Sequence, residues 1–86
     1  MEEEVGRISH YFSKISVAVI EVTAGRLRVG DTIHIKGHTT DFHQQVDSLQ
    51  QEHQSVAEAV LGASAGLKVK YPVREHDLVF VVRGEA

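Results

Sequence analysis

The sequence predicts an all-β fold of short strands divided by turns, a barrel or a sandwich. Three observations predict it. β-Branched and other apolar residues gather in short runs with period-two alternation. Turn signals separate these runs, at Gly25, Gly30, Gly37, residues 62–66 and Pro72. At 86 residues the chain is one domain, and such a domain buries only roughly 60–65% of its unfolded surface, so its core is small enough for side chains alone to fill a barrel.

Glu2, Glu3 and Glu4 are expected to form a disordered, solvated end (residues 1–4), followed by one barrel domain over 5–83 and a tail over 84–86. Residues 5–12 form the first expected strand, and Gly6 within it marks a place where another backbone comes close. Ser13 and Lys14 supply a turn. Residues 15–22, Ile-Ser-Val-Ala-Val-Ile-Glu-Val, carry the strongest strand signal of the chain.

Thr23-Ala24-Gly25 adds a bend, and Val29-Gly30-Asp31 is a turn in which Gly30 can take positive φ without a Cβ clash. Gly25, Gly30 and Asp31 are accordingly the structural turn residues. A strand over 32–36 places Ile33 and Ile35 on one face and His34 and Lys36 on the other, because strand side chains alternate. Residues 37–41 form a polar loop.

The following segment is ambiguous. Phe42, Val46, Leu49, Val56 and Val60 recur at helical spacings, with Thr40 or Asp41 as a cap, although His53 interrupts the stripe. The same residues 42–50 can be read as one extended run, and the pattern alone favours helix. Residues 62–66, Gly-Ala-Ser-Ala-Gly, form a small-residue connection. Residues 67–71 alternate, with Leu67, Val69 and Tyr71 facing the core opposite Lys68 and Lys70, and Pro72 ends that strand. Residues 73–77 are a turn-rich link into the apolar final strand over 78–82.

Val5-Gly6-Arg7-Ile8, Glu21-Val22, residues 25–33 (Gly-Arg-Leu-Arg-Val-Gly-Asp-Thr-Ile), Val46-Asp47-Ser48-Leu49 and residues 59–67 occur in that order. Together they resemble domain 2 of the translational GTPases, the β-barrel beside the nucleotide-binding domain in elongation factor Tu. Leu-x-Val-Gly-Asp-x-Ile is the most specific piece. The likeness spans residues 5–82 and extends to stand-alone translation elongation factor-like barrels and to the barrel appended to some collagenase-like peptidases. The resemblance implies a small, closed or nearly closed antiparallel β-barrel of about six strands, in which residues 42–50 are a strand, 55–61 are a connection with at most a helical turn, and Ala18, Ile20 and Val22 face inward. No residue here matches the family's aminoacyl pocket.

Composition limits the chemistry. Nine basic and twelve acidic residues give a formal charge of -3, unlike the basic excess of a non-specific nucleic-acid binder. No cysteine is present, which excludes disulfides and thiolate metal sites and accords with a reducing compartment. The acidic start and the lack of an apolar run near 18 residues argue against a signal peptide and a membrane span, so a cytoplasmic location without membrane contact is expected. No Gly-x-x-x-x-Gly-Lys-Ser/Thr run exists to cradle phosphates, so neither GTP binding nor GTP hydrolysis is expected.

Gly62-Ala63-Ser64-Ala65-Gly66 matches a nucleophile elbow in letters only, since that motif needs a strand before it and a helix after it on a large sheet. His10, His34, His38, His43, His53 and His76 match no standard zinc spacing. They are expected to be exposed polar residues, with no metal and no cofactor.

The expected function is that of a non-catalytic, stand-alone binding module similar to the translation-factor barrel, contacting RNA, the ribosome or a protein partner. Its candidate residues are Lys68, Lys70 and Arg74 as a local basic patch, with His34, Lys36, His38 and His43 around the 37–43 loop. The rival is an accessory subunit or appended-domain equivalent of a collagenase-like peptidase. A histidine-based metal-binding protein is the third reading.

Overall fold

The computed structural model describes residues 1–82, and every regular element in them is a strand. In chain order these are β1 (Glu2–Phe12), β2 (Val17–Val22), β3 (Arg26–Arg28), β4 (Thr32–Lys36), β5 (Asp41–Gln45), β6 (Leu49–Gln51), β7 (Gln54–Val56), β8 (Glu58–Val60), β9 (Ser64–Lys68) and β10 (Leu78–Val82). Eight of them form one antiparallel sheet in the order β5-β4-β10-β1-β2-β9-β6-β7, and β3 pairs with β8 in a separate ribbon. The expected all-β fold is what the chain forms, built from ten short segments where six strands were expected. Among the described residues, no helix is long and apolar enough to cross a membrane.

β1 holds the sheet together because it pairs on both edges, with β10 and with β2. Its register shifts between Glu4 and Gly6 against β10, and between Ile8 and His10 against β2. Such bulges bend a strand and raise its twist, which lets eleven residues wrap around the core. At the first shift Gly6 lies against the Glu21 carbonyl of β2, so close that a Cβ would overlap it. The sequence signal of a close backbone approach is explained by this contact.

The alternating strands supply the core. Ala18, Ile20 and Val22 of β2 point inward, with Val5, Ile8, Leu27, Ile33, Ile35, Leu49, Leu67, Val79 and Val81 from the surrounding strands. The turn before β4 forms as its residues dictate: Gly30 has φ +98 and Gly25 φ +63, and the Asp31 carboxylate accepts from the Arg28 amide at 2.9 Å.

Several expectations need correction. Glu2–Glu4, expected to be disordered, are the first residues of β1, paired with Val82, Val81 and Phe80. Residues 42–50 are not helical, but they are two strands rather than one: Val46 leaves the ladder to exchange backbone hydrogen bonds with Gly30 and Asp31 at 2.8 Å each. That break turns both Val46 and Leu49 inward. The expected connection over 55–61 contains the end of β7 and all of β8.

The expected strand over 67–71 lies earlier, because Ala65 and Gly66 pair with Ile20 and Val19. Tyr71 therefore falls beyond it and is exposed, not part of the core. The expected domain end at residue 83 and the tail over 84–86 lie outside the described residues.

Candidate functional site

β4 and β5 form a hairpin whose register sets His34 opposite His43 and Lys36 opposite Asp41. The loop between them closes with the Gly37 amide donating to the Thr40 carbonyl at 2.7 Å. Gly37 is glycine because the buried Asp77 carboxylate occupies the place a Cβ would take.

On the outer face of this hairpin the His34 and His43 rings stack, with centroids 4.1 Å apart and planes at 13°. Glu2, at the start of β1, reaches across β10 to both rings. Its carboxylate accepts from His34 Nδ1 at 2.8 and 2.9 Å and from His43 Nε2 at 3.2 Å. On the other side of the His34 ring, Asp41 accepts from Nε2 at 2.5 Å. Phe80 of β10 lies beside it, ring centroids 6.1 Å apart.

His34 is thereby 8% exposed, although its position on the outward face of β4 predicted exposure. The face is outward, but Glu2, His43 and Phe80 cover it. With a carboxylate on each ring nitrogen, His34 donates from both, which is the imidazolium form. Burial pushes its pKa down, but the hydrogen bonds and charges of Glu2 and Asp41 outweigh burial and hold it above the ordinary 6.5. The His34 hydrogen bond in turn holds Glu2 below 4.5 and Asp41 below 3.8, each against the opposing effect of burial.

The signs give a pH window. A raised histidine stabilises the fold fully below 6.5, and that contribution fades as pH rises through its folded value. Lowered carboxylates stabilise above 4.5 and 3.8, and their contribution fades as pH falls through theirs. The cluster therefore contributes most between about pH 4.5 and 6.5. A plot of melting temperature against pH should show this rise for the native protein, and His34→Gln should flatten it. Superimposable profiles would mean that the cluster is electrostatically idle.

A second feature borders the first. The 37–41 loop and the segment before β10 enclose an open groove of about 580 Å³, with Thr39, Asp41 and Phe42 on one wall and Tyr71, Pro72 and Arg74 on the other. Phe42 and Tyr71 meet edge to face, centroids 5.1 Å apart at 73°. Asp41 belongs to both features, so the groove and the histidine pair share a wall.

The sequence-predicted residues divide accordingly. His34 and His43 come together, Arg74 lines the groove, and Lys36 and His38 are exposed at the hairpin end. Lys68 and Lys70 are exposed on the wall of a smaller depression that also holds Asp47. None of Lys68, Lys70 and Arg74 forms a side-chain ion pair with another described residue at the ends of these walls. Ser64 sits in regular strand opposite Glu21, which is not the strand-to-helix turn of a nucleophile elbow. Glu2, Asp41, Phe42 and Tyr71 were not among the predicted site residues.

Comparison with known proteins adds four findings. The family described as Elongation factor Tu domain 2 matches residues 16–85. An uncharacterized protease of Methanocaldococcus jannaschii is 40% identical over 81 residues, covering 93% of this chain but 20% of its own length. A collagenase of Porphyromonas gingivalis is 38% identical over 77 residues, 88% of this chain and 21% of its own. The chain thus spans about a fifth of the length of these curated relatives. Among solved structures, the C-terminal domain of a Geobacillus thermoleovorans protein assigned to the U32 peptidases superimposes with a TM-score of 0.87 at 19% identity, covering 94% of this chain and 93% of that one. That likeness establishes a shared barrel fold.

Proposed function

The chain belongs to the Elongation factor Tu domain 2 family of β-barrels, and from that premise we propose that it is a non-catalytic binding module serving a U32-type, collagenase-like peptidase protein. The observation that carries this reading is the alignment of nearly the whole barrel with one fifth of a protease and of a collagenase. A barrel filled by its own side chains offers no internal chamber, so recognition falls to its surface. The groove between Phe42 and Tyr71 is the surface best suited to it: two aromatic rings give apolar area, and Arg74 and Asp41 give opposite charges at its rim.

The test is co-purification with a U32-type catalytic region supplied as a separate chain. The native barrel should be retained, and the folded double variant Tyr71→Ala/Arg74→Glu should lose at least tenfold in affinity. Equal retention of both proteins would remove the groove from the proposal, and no retention of either would remove the peptidase partner.

A second reading, contact with RNA or the ribosome, is favoured by one observation: Lys68 and Lys70 are both exposed at one place on the barrel. Ribonuclease-sensitive association that disappears in Lys68→Glu/Lys70→Glu would support it over the peptidase reading.

A further inference from the structure

We propose that Glu2, His34 and His43 form a three-ligand site for a borderline divalent metal ion of the zinc class, with Asp41 as the group that orients the His34 ring. One carboxylate oxygen of Glu2 and one ring nitrogen from each histidine already lie within 4.8 Å of one another. Around a tetrahedral ion with bonds of 2.0–2.1 Å, ligand atoms sit about 3.3 Å apart. Closing the remaining gap needs rotation of Glu2 and His43, whose side chains are 35% and 53% exposed, while the buried His34 stays in place.

The arrangement around His34 distinguishes this cluster from a chance meeting of polar residues. Its Nε2 is held by Asp41, which fixes the ring and directs Nδ1 at Glu2. A ligating histidine whose other nitrogen donates to a carboxylate is the usual partner arrangement at protein metal sites. His10, also beside an acid at 3.5 Å from Glu75, lacks a second histidine and belongs to no such group among the described residues.

The donor set selects the metal. Two imidazoles and one carboxylate suit zinc, nickel, copper or cobalt, not magnesium or calcium, which take oxygen ligands. Three protein ligands leave the fourth tetrahedral position to water or to an incoming donor. His43 stands on β5, an edge strand of the sheet, and with Glu2 it is part-exposed, so that position faces solvent.

Proton balance follows from the hydrogen bonds. The metal ion takes the place of the proton on His34 Nδ1, which leaves to solvent, while the Nε2 proton stays on the ring and keeps donating to Asp41. On His43 the Nε2 proton gives way to the metal and the neutral ring carries its proton on Nδ1. One proton is therefore released per ion bound. The groups facing His34 are Glu2 from β1, Asp41 and His43 from β5, and the uncharged Phe80 from β10, with Lys36 acting on Asp41.

Calorimetric titration of the untagged protein with zinc chloride tests this. One ion per chain should bind with a Kd of about 10 µM or below at pH 7.5. Affinity should fall about tenfold from pH 7 to pH 6 as protons compete. His43→Ala, an exposed change that leaves the fold intact, should weaken binding at least tenfold. Asp41→Asn should weaken it by about tenfold while keeping one ion per chain, and His38→Ala should leave it unchanged. Equal affinity of the native protein and His43→Ala would overturn the proposal, as would the absence of one-to-one binding by the native protein.

Discussion

Gly6→Ala is expected to destabilise the barrel by about 3 kcal/mol or more, lowering the melting temperature by about 12 °C or more for a domain of this size. The methyl group would overlap the Glu21 carbonyl oxygen and lie 3.3 Å from Ile20 Cγ2. Neither can retreat. Glu21 is paired with Arg7 on one edge and with Ser64 on the other, and Ile20 is wholly buried. Relief would require prising β1 from β2, the two strands on which the wrapped sheet depends. Gly66→Ala is the matched control. Its methyl would stand 3.5 Å from Val17 Cγ1 and 3.9 Å from the Gln50 carbonyl, which is ordinary contact, and its effect should stay below about 1 kcal/mol. Thermal melts of the two variants decide the matter. Similar losses in both would show that strand propensity, and not the contact at Gly6, sets the cost.

The same glycines show how far the sequence reveals the fold. Gly6 and Gly30 could be understood from the chain alone, because a glycine inside a β-branched run and one inside a turn each have few physical explanations. Strand alternation set Ile33 and Ile35 of β4 on one face, and the family resemblance turned Ala18, Ile20 and Val22 of β2 inward. The alternation failed where a non-local contact overrides it. Val46 and Leu49 both point inward because the Val46 backbone bonds to the turn at Gly30 and Asp31. Ala65, Leu67 and Val69 follow the alternation inward, but Tyr71 is exposed because β9, registered on β2 through Ala65 and Gly66, ends at Lys68.

The histidine pair was half legible. A hairpin symmetric about the 37–40 loop sets 34 opposite 43, so their proximity could have been read from strand geometry. Glu2 could not. It arrives from a residue 32 positions away through the β1–β10 ladder, and three successive glutamates at a chain end read locally as solvated charge. Burial of His34 depends on that long-range arrival, which is why a position on an outward strand face gave no sign of it.

Long-range closure also underlies the second large effect, at Gln44. The main-chain ladder runs from β5 to β7 without pairing β5 to β9, and Gln44 bridges that seam. Its side-chain amide donates to the Lys68 carbonyl at 3.0 Å and accepts from the Lys70 amide at 2.9 Å, so it substitutes for a pair of ladder bonds with its own donor and acceptor. Gln44 is buried. Removing it takes the partners from two part-buried backbone groups, and Gln44→Ala should destabilise by about 2–4 kcal/mol. Gln44→Glu separates the two bonds. A carboxylate still accepts from Lys70 but turns an acceptor toward the Lys68 carbonyl, so the variant should be nearly as unstable as alanine at pH 7. Below about pH 4.3 a protonated glutamate regains a donor, and the gap in melting temperature between Gln44→Glu and the native protein should narrow, while the gap for Gln44→Ala should not. Melts of the three proteins at pH 7 and in mild acid read this directly. If Gln44→Ala melts with the native protein, then the Val46 backbone bonds and the core close the barrel without the side chain.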